Sequence, residues 1–141
     1  MNIIIFGTHE MAELMHYYLI HDSAHKPVAF CEDGRFIQRT NMLGLPIISF
    51  ETITQYHPPS YNSFLVALYD NELRANKTKE VKERGYELIS YISSKAAVST
   101  EAGNHNIIME NNVIQPFVVM GNNIVMWSGN HIGHHSKLGN N

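Results

Sequence analysis

At 141 residues, with 44% hydrophobic and 16% charged side chains, the chain has the make-up of a globular protein and not of a disordered one. A formal net charge of -3 supplies no basic field for nucleic acid or an anionic membrane surface. The single cysteine, Cys31, excludes an intramolecular disulfide and suits a reducing cytoplasm; no apolar run is long enough to span a bilayer, and the N-terminus lacks the basic flank of a signal peptide.

Residues 2–6 form a continuous apolar run ending at Gly7, and residues 11–20 then repeat apolar side chains at helical spacing through Met11, Leu14, Met15, Tyr18 and Leu19. A buried strand, a glycine turn and a helix open a βαβ unit. A second strand is expected over residues 28–31, closed by Glu32, Asp33 and Gly34. Ser49 is placed to cap a short helix over residues 50–56, which Pro58 and Pro59 stop. A third strand is expected over residues 63–69. A charge-rich surface helix follows over residues 71–84, anchored by Leu73 and Val81 and closed by Gly85, and a last strand covers residues 87–90. This alternation predicts a small Rossmann-like parallel sheet with helices on both faces, over residues 1–92.

From there the period changes to six. Ile108, Ile114, Met120, Met126, Ile132 and Leu138 are aliphatic and six apart, and glycine follows three of them, at Gly121, Gly133 and Gly139. Such a period fits neither an α-helix nor an isolated strand and marks a parallel β-helix, here residues 93–141, with the aliphatic residues inside and glycine or asparagine allowing positive-φ corners. The pattern stops mid-hexad at Asn141, so the natural protein is expected to continue, or to take cover from other subunits.

In an open parallel sheet, ligands lie at the carboxyl ends of the strands. Three such ends are Gly7-Thr8-His9, Glu32-Asp33 and Tyr69-Asp70-Asn71. Gly7 would let the backbone approach a phosphate beside the helix that starts near His9, and Glu32 or Asp33 would accept hydrogen bonds from a ribose or base. The competing reading makes Gly7 a turn glycine and Asp33 a turn acid, since the second and third glycines of the dinucleotide fingerprint are absent. In the repeats, His131, His134 and His135 cluster. His134, in the third place of its hexad, should project outward near a corner, where an imidazole suits a general base; a polar turn residue is the alternative. A metal site of these three is disfavoured, because adjacent residues in an extended chain point apart and no carboxylate or cysteine completes the set. The remaining histidines are scattered, and the acids after Cys31 disfavour a thiolate nucleophile.

Four stretches carry a resemblance: the opening Ile3-Ile-Ile-Phe-Gly-Thr8, the middle Ala67-Leu-Tyr-Asp-Asn-Glu-Leu-Arg74, the junction Ile92-Ser-Ser-Lys-Ala-Ala-Val-Ser99, and the final Asn130-His-Ile-Gly-His-His-Ser-Lys-Leu-Gly139. In this order the chain resembles the bacterial sugar O- and N-acetyltransferases of the left-handed β-helix superfamily, which include the sialic-acid O-acetyltransferase type and enzymes that N-acetylate nucleotide-linked amino-dideoxy sugars. The resemblance implies an N-terminal domain that holds a UDP- or dTDP-linked amino sugar, acetyl-CoA as co-substrate along later coils, no metal, and a homotrimer with active sites between subunits. It also implies His134 as the catalytic histidine, with His135 where the family often carries an orienting acid, and Tyr69 where it usually has glycine. The expected activity is acetyl transfer to the amine of such a sugar; a sugar-nucleotide-binding module without activity, O-acetylation of sialic acid, and transfer of another acyl group such as formyl are the alternatives.

Overall fold

The computed structural model describes residues 1–141 and divides into two compact units, Met1–Leu88 and Ile89–Asn141. The first unit is a six-stranded sheet built from β1 (Asn2–Phe6), β2 (Lys26–Glu32), β3 (Asn41–Met42), β4 (Leu45–Ser49), β5 (Asn62–Val66) and β6 (Glu87–Leu88), in the spatial order β3-β4-β2-β1-β5-β6. All neighbours pair in parallel except β3 with β4. The helices are α1 (Glu10–His21), α2 (Ile53–Tyr56) and α3 (Asn71–Glu83). Because strand side chains alternate, β1 serves two cores at once. Ile4 and Phe6 join Phe64, Val66 and Val81 of α3 in one cluster, while Ile3 and Ile5, equally buried, are left for the face where α1 packs on β1 and β2.

Two expectations need correcting here. Ser49 ends β4 and does not cap a helix: α2 is a single turn starting at Ile53, with Thr52 before it, because residues 45–49 pair with β2 and take the segment into the sheet. In α3 the buried face is Arg74, Lys77, Thr78 and Val81, whereas the expected anchor Leu73 is 61% exposed. The charged residues reach the interior because their stems are apolar and their heads find partners. Gly85 closes the helix as read, at φ 83, donating its N–H to Lys82 O.

The second unit is a parallel β-helix of two-residue strands. One face stacks β7 (Tyr91–Ile92), β9 (Ile107–Ile108) and β12 (Val125–Met126); a second stacks β8 (Ala97–Val98), β10 (Val113–Ile114) and β13 (His131–Ile132); a third pairs β11 (Val119–Met120) with β14 (Lys137–Leu138). Three hexads make one coil, so residues eighteen apart, such as Asn112 and Asn130, meet directly. The first coil is shorter, with Tyr91 over Ile107. Because Tyr91 and Ile92 already form the first rung of this stack, the unit begins at Ile89, ahead of the expected Ile92/Ser93 boundary. Ile108, Ile114, Met120 and Met126 are buried in one core, with Ile132 and Leu138 packed against it.

The corners follow the same period, but their occupants differ from expectation. Positive φ occurs at His105, Asn111, Phe117, Asn123, Gly129, His135 and Asn141, every sixth residue. The glycines that follow the aliphatic positions do not turn the chain. A Cβ on Gly121 would meet Gly139 O at 2.7 Å and Asn140 Oδ1 at 2.6 Å, so at that position glycine is required by the approach of the next coil. Asparagines tie the coils together: fully buried Asn112 donates to Met109 O and accepts from the Asn130 backbone N–H, and Asn140 Oδ1 accepts from Asn122 N–H. No helix is long and apolar enough to cross a membrane.

These contacts separate two glycines that look alike in the sequence. Gly121→Ala should cost roughly 1–3 kcal/mol as an overpacked contact, whereas Gly133→Ala, whose Cβ would meet nothing within 4 Å, should leave the denaturant midpoint unchanged. Equal midpoints for the two variants in urea unfolding would refute the coil-contact explanation.

Candidate functional site

The order of the first sheet changes direction at β1, with β2 and β4 on one side and β5 and β6 on the other. The connection leaving β1 runs toward β2 and the one leaving β5 runs toward β6, so the loops at the carboxyl ends of β1 and β5 diverge and open a crevice. A cleft of about 810 Å³ lies there, lined by Thr8 and His9 after β1, by Glu32 and Asp33 at the end of β2, and by Leu68 after β5. The sequence-based position for a ligand is thus where the cavity is. Gly7, Tyr69 and Asp70 lie outside its lining, each held by a structural demand. Gly7 has φ 121, and a Cβ there would come within 2.8 Å of Ala67 O. Asp70 caps α3, its Oδ1 accepting the Leu73 N–H at 2.8 Å. The Tyr69 carbonyl accepts from buried Arg74, whose guanidinium also bonds Leu68 O and Asn71 Oδ1, while its ring is 55% exposed.

The floor of the cleft is a set of linked charges. Glu32, buried, accepts from Thr8 Oγ1 at 3.1 Å and from the Asp33 N–H at 3.0 Å, fixing the two strand-end loops to each other. Lys77 reaches Asp33 Oδ1 at 2.8 Å and Glu80 Oε2 at 2.5 Å. Its ammonium also sits 4.7 Å from the centroid of Phe6 and 4.4 Å from that of Phe50. Burial by itself would lower the lysine's pKa, but the hydrogen bonds to Asp33 and Glu80 outweigh it and hold the group above its ordinary value. Lys77 is therefore a fixed cation, with Asp33 and Glu80 as its counter-ions.

The outer wall is residues 34–39, a short 3-10 turn (Gly34–Phe36) and the chain after it, which bring Arg35, Phe36 and Arg39 to the cleft. Sequence reading missed all three, as it missed Lys77, because these positions follow no period. The only local hint was two arginines and a phenylalanine just beyond a strand-end acid pair. Arg39 donates to Thr8 O at 3.0 Å, and Arg35 lies 4.7 Å from the exposed Phe36 ring. The first turn of α1 already holds Glu10 and Glu13 against its positive end, and His9 makes no side-chain cap. The cationic groups available to an anion in this cleft are accordingly the guanidinium ions of Arg35 and Arg39, which can grip phosphate oxygens in pairs.

The wall is held in place by Glu51. Its carboxylate accepts the Gly34 N–H at 3.0 Å and the Ser49 hydroxyl. The serine hydrogen bond, with the backbone bonds, keeps the carboxyl below its usual pKa of 4.5. A carboxyl whose folded pKa is depressed stabilises the fold above its unfolded pKa and loses that contribution as pH falls through the folded value. The latch should therefore hold in full above pH 4.5 and open only as pH falls further, through the lower folded value. Glu51→Gln should lower hydrogen-exchange protection of the Gly34 amide at pH 7 without moving the thermal midpoint; unchanged protection would show that the wall is held by something else.

In the β-helix, the clustered histidines are exposed: His131 lies in β13, and His134 and His135 follow it. His134 donates its backbone N–H to Gln115 Oε1 at 2.9 Å. Adjacent residues were expected to point apart. Instead, His135 is a corner residue at φ 63, and its ring turns back so that Nδ1 lies 2.9 Å from Nδ1 of His134. Phe117, the corner residue of the preceding coil, has its ring centroid 4.9 Å from that of His135, tilted by 32°. No group of three His, Cys, Asp or Glu side chains that could hold a metal ion occurs.

No protein-family model matches the sequence, and no curated protein matches it. Solved structures do. The acetyltransferase domain of PglB from Neisseria gonorrhoeae FA1090, in complex with acetyl coenzyme A, superposes with TM-score 0.77 at 17% identity, covering 98% of this chain and 67% of its own. A variant of perosamine N-acetyltransferase from Caulobacter crescentus, in complex with CoA and GDP-perosamine, gives TM-score 0.85 at 19% identity over 98% of this chain and 65% of its own. WeeI from Acinetobacter baumannii AYE gives 0.80 at 15% identity, with coverages of 97% and 66%. The chain thus spans about two thirds of the length of each. At these identities the likeness is one of architecture, and the chain has the fold of these proteins: an α/β Rossmann-like unit followed by a β-helix.

Proposed function

We propose that the chain belongs to an acetyltransferase that moves the acetyl group of acetyl-CoA to the amine of a nucleotide-linked amino sugar. The observation that carries the reading is the cleft of the first unit, an 810 Å³ cavity at the strand carboxyl ends that joins buried acceptors to guanidinium donors. A nucleoside diphosphate asks for that combination. Glu32 and Asp33 would accept from ribose hydroxyls or base N–H groups, and Arg35 and Arg39 would meet the diphosphate. Phe36, exposed at the rim, offers a face to the base. Thr8 and His9 complete the loop beside the sugar nucleotide. The architectural likeness to proteins solved with CoA, acetyl coenzyme A and GDP-perosamine supports the same reading.

In the β-helix, His134 would act as general base. Its Nε2 takes a proton from the sugar amine as the nitrogen attacks the thioester carbonyl. The C–N bond forms, the tetrahedral intermediate collapses with loss of the C–S bond, and CoA leaves as the thiol after receiving the proton that His134 took from the amine. No acyl-enzyme is needed. A backbone N–H would stabilise the oxyanion. A UDP- or dTDP-linked 4-amino-4,6-dideoxy sugar is the proposed acceptor, with a homotrimer as the working assembly and the cytoplasm as the compartment. The buried thiol of Cys31, which burial and the adjacent Glu32 keep protonated, is in keeping with that compartment.

A general base of this kind is worth roughly 10²–10⁴-fold in rate. In acetyl-transfer assays with acetyl-CoA, His134→Ala should lose kcat/KM by that factor while its calorimetric Kd for the sugar nucleotide stays put. Turnover equal to the native chain would remove His134 from the mechanism. Titration with UDP-, dTDP- and GDP-linked amino sugars tests the cleft separately: Arg39→Ala should weaken binding tenfold or more, and failure of all three ligands to bind the native chain would overturn the nucleotide-sugar assignment.

A further inference from the structure

We propose that the link between Asp33 and Gly34 is a site of spontaneous covalent modification, at which the Gly34 nitrogen takes up the Asp33 side-chain carboxyl and leaves an isoaspartyl linkage whenever the wall of the cleft comes off its Glu51 latch. Aspartate followed by glycine suits this chemistry best, because the attacking nitrogen belongs to the one residue with no Cβ to crowd it. The chain has three aspartates, Asp22, Asp33 and Asp70, and only Asp33 precedes glycine. The latch itself calls for that glycine. A Cβ on Gly34 would stand 3.1 Å from both Glu51 Oε2 and Ser49 Oγ, so the close seat of the Glu51 carboxylate selects the residue that makes its neighbour labile.

In the reaction the Gly34 nitrogen loses its proton and bonds Cγ of Asp33, and one C–O bond of the carboxyl breaks. That oxygen leaves as water, with the proton from the nitrogen and one from solvent. A second water then opens the five-membered imide. Cleavage between nitrogen and Cγ restores aspartate; cleavage between nitrogen and the main-chain carbonyl carbon leaves the chain running through Cγ, with the former carbonyl as a free carboxylate. Three features of the folded chain oppose the first step. Asp33 is extended, at ψ 132. Ring closure requires Cβ and the Gly34 nitrogen to eclipse about the Cα–C bond, so the peptide must swing by more than a quarter turn. That swing draws the Gly34 N–H off the Glu51 carboxylate, which accepts it at 3.0 Å and, as an anion, also opposes loss of the amide proton. Lys77 holds Asp33 Oδ1 at 2.8 Å and fixes the side chain that has to turn onto the nitrogen.

The closed wall is therefore unreactive, and the modification records its openings. Gly34, Arg35 and Phe36 are exposed, as befits a segment that opens locally while the sheet stays folded. The product is not neutral for the cleft. It adds one carbon to the main chain between β2 and the wall and draws the carboxylate one bond nearer the backbone, which takes it from Lys77 and displaces Arg35, Phe36 and Arg39.

The test maps residue 33 in the full chain during incubation at neutral pH. Endoproteinase Asp-N cuts before aspartate and not before isoaspartate, so its cut at Asp33 is lost as the modification accumulates, while the cuts at Asp22 and Asp70 report complete digestion. Electron-transfer fragmentation of the uncut peptide, unchanged in mass, locates the added main-chain carbon. The native chain is expected to lose the cut slowly, and the chain unfolded in guanidinium chloride at least tenfold faster. Glu51→Ala, checked for folding by its thermal midpoint, should also react faster by roughly tenfold or more, the worth of a hydrogen bond to a charged acceptor. A Glu51→Ala rate equal to the native one, equal rates in the native and unfolded chains, or no isoaspartate at residue 33 in the unfolded chain would each overturn the proposal. The comparison of native with unfolded chain decides even if the variant does not fold. No ligand enters the measurement, so its outcome is separate from whether sugar nucleotides bind.

Discussion

Parallel strand pairing is the constraint on which both units depend. Two parallel neighbours cannot be joined by a tight hairpin, so the chain must travel from the end of one strand back to the level where the next begins. In residues 1–88 it does so partly through helices: α1 links β1 to β2, and α3 links β5 to β6. In residues 89–141 it uses no helix and goes round three short faces, returning to each strand one coil later. Each solution leaves irregular backbone at a defined place, at the strand ends in the first unit and at the corners in the second. Those are the places where the candidate groups sit.

In the first unit, the cost of burying charge decides what the cleft can offer. Lys77 is paired with both Asp33 and Glu80 in the floor, and Glu32 accepts from Thr8 and the Asp33 N–H. Lys77 is the buried member of this set, and its two carboxylate partners compensate the charge that burial would otherwise leave exposed to the apolar interior. The groups with donors to spare are in the wall, at Arg35 and Arg39, and that wall is latched by a carboxylate outside the cleft, Glu51.

In the second unit, the corner is the productive element. Stacking at a fixed interval demands positive φ at every sixth residue, and asparagine, glycine, phenylalanine and histidine fill these positions in turn. Several also bond or pack through their side chains, as His105 does to Ile89 O and Asn123 to Asn141. At His135 the same backbone geometry brings one imidazole against the next, a contact that extended chain could not make. A structural requirement of the repeat thus also sets the relation between two titratable rings.

Short-range pattern determined much of this protein. The apolar run of β1, the helical spacing of α1 and the six-residue aliphatic period each record a core-facing stripe, and those stripes are where the cores are found. The use of strand carboxyl ends as a ligand position followed from topology, and it placed Thr8, His9, Glu32 and Asp33 in the cleft lining. What had no period could not be read. Arg39 and Lys77 are held at the cleft by contacts spanning tens of residues, Arg39 to Thr8 and Lys77 to Asp33, which lie 31 and 44 apart in the chain, and Arg35 and Phe36 belong to the turn that Arg39 follows. Gly7 and Gly121 each answer to a carbonyl from a distant segment, and β4 became a strand because β2 offered its edge. Local sequence fixes which residues seek the interior and at what spacing. Only the tertiary fold, by choosing which polar groups meet across long loops, decided which side chains form the site.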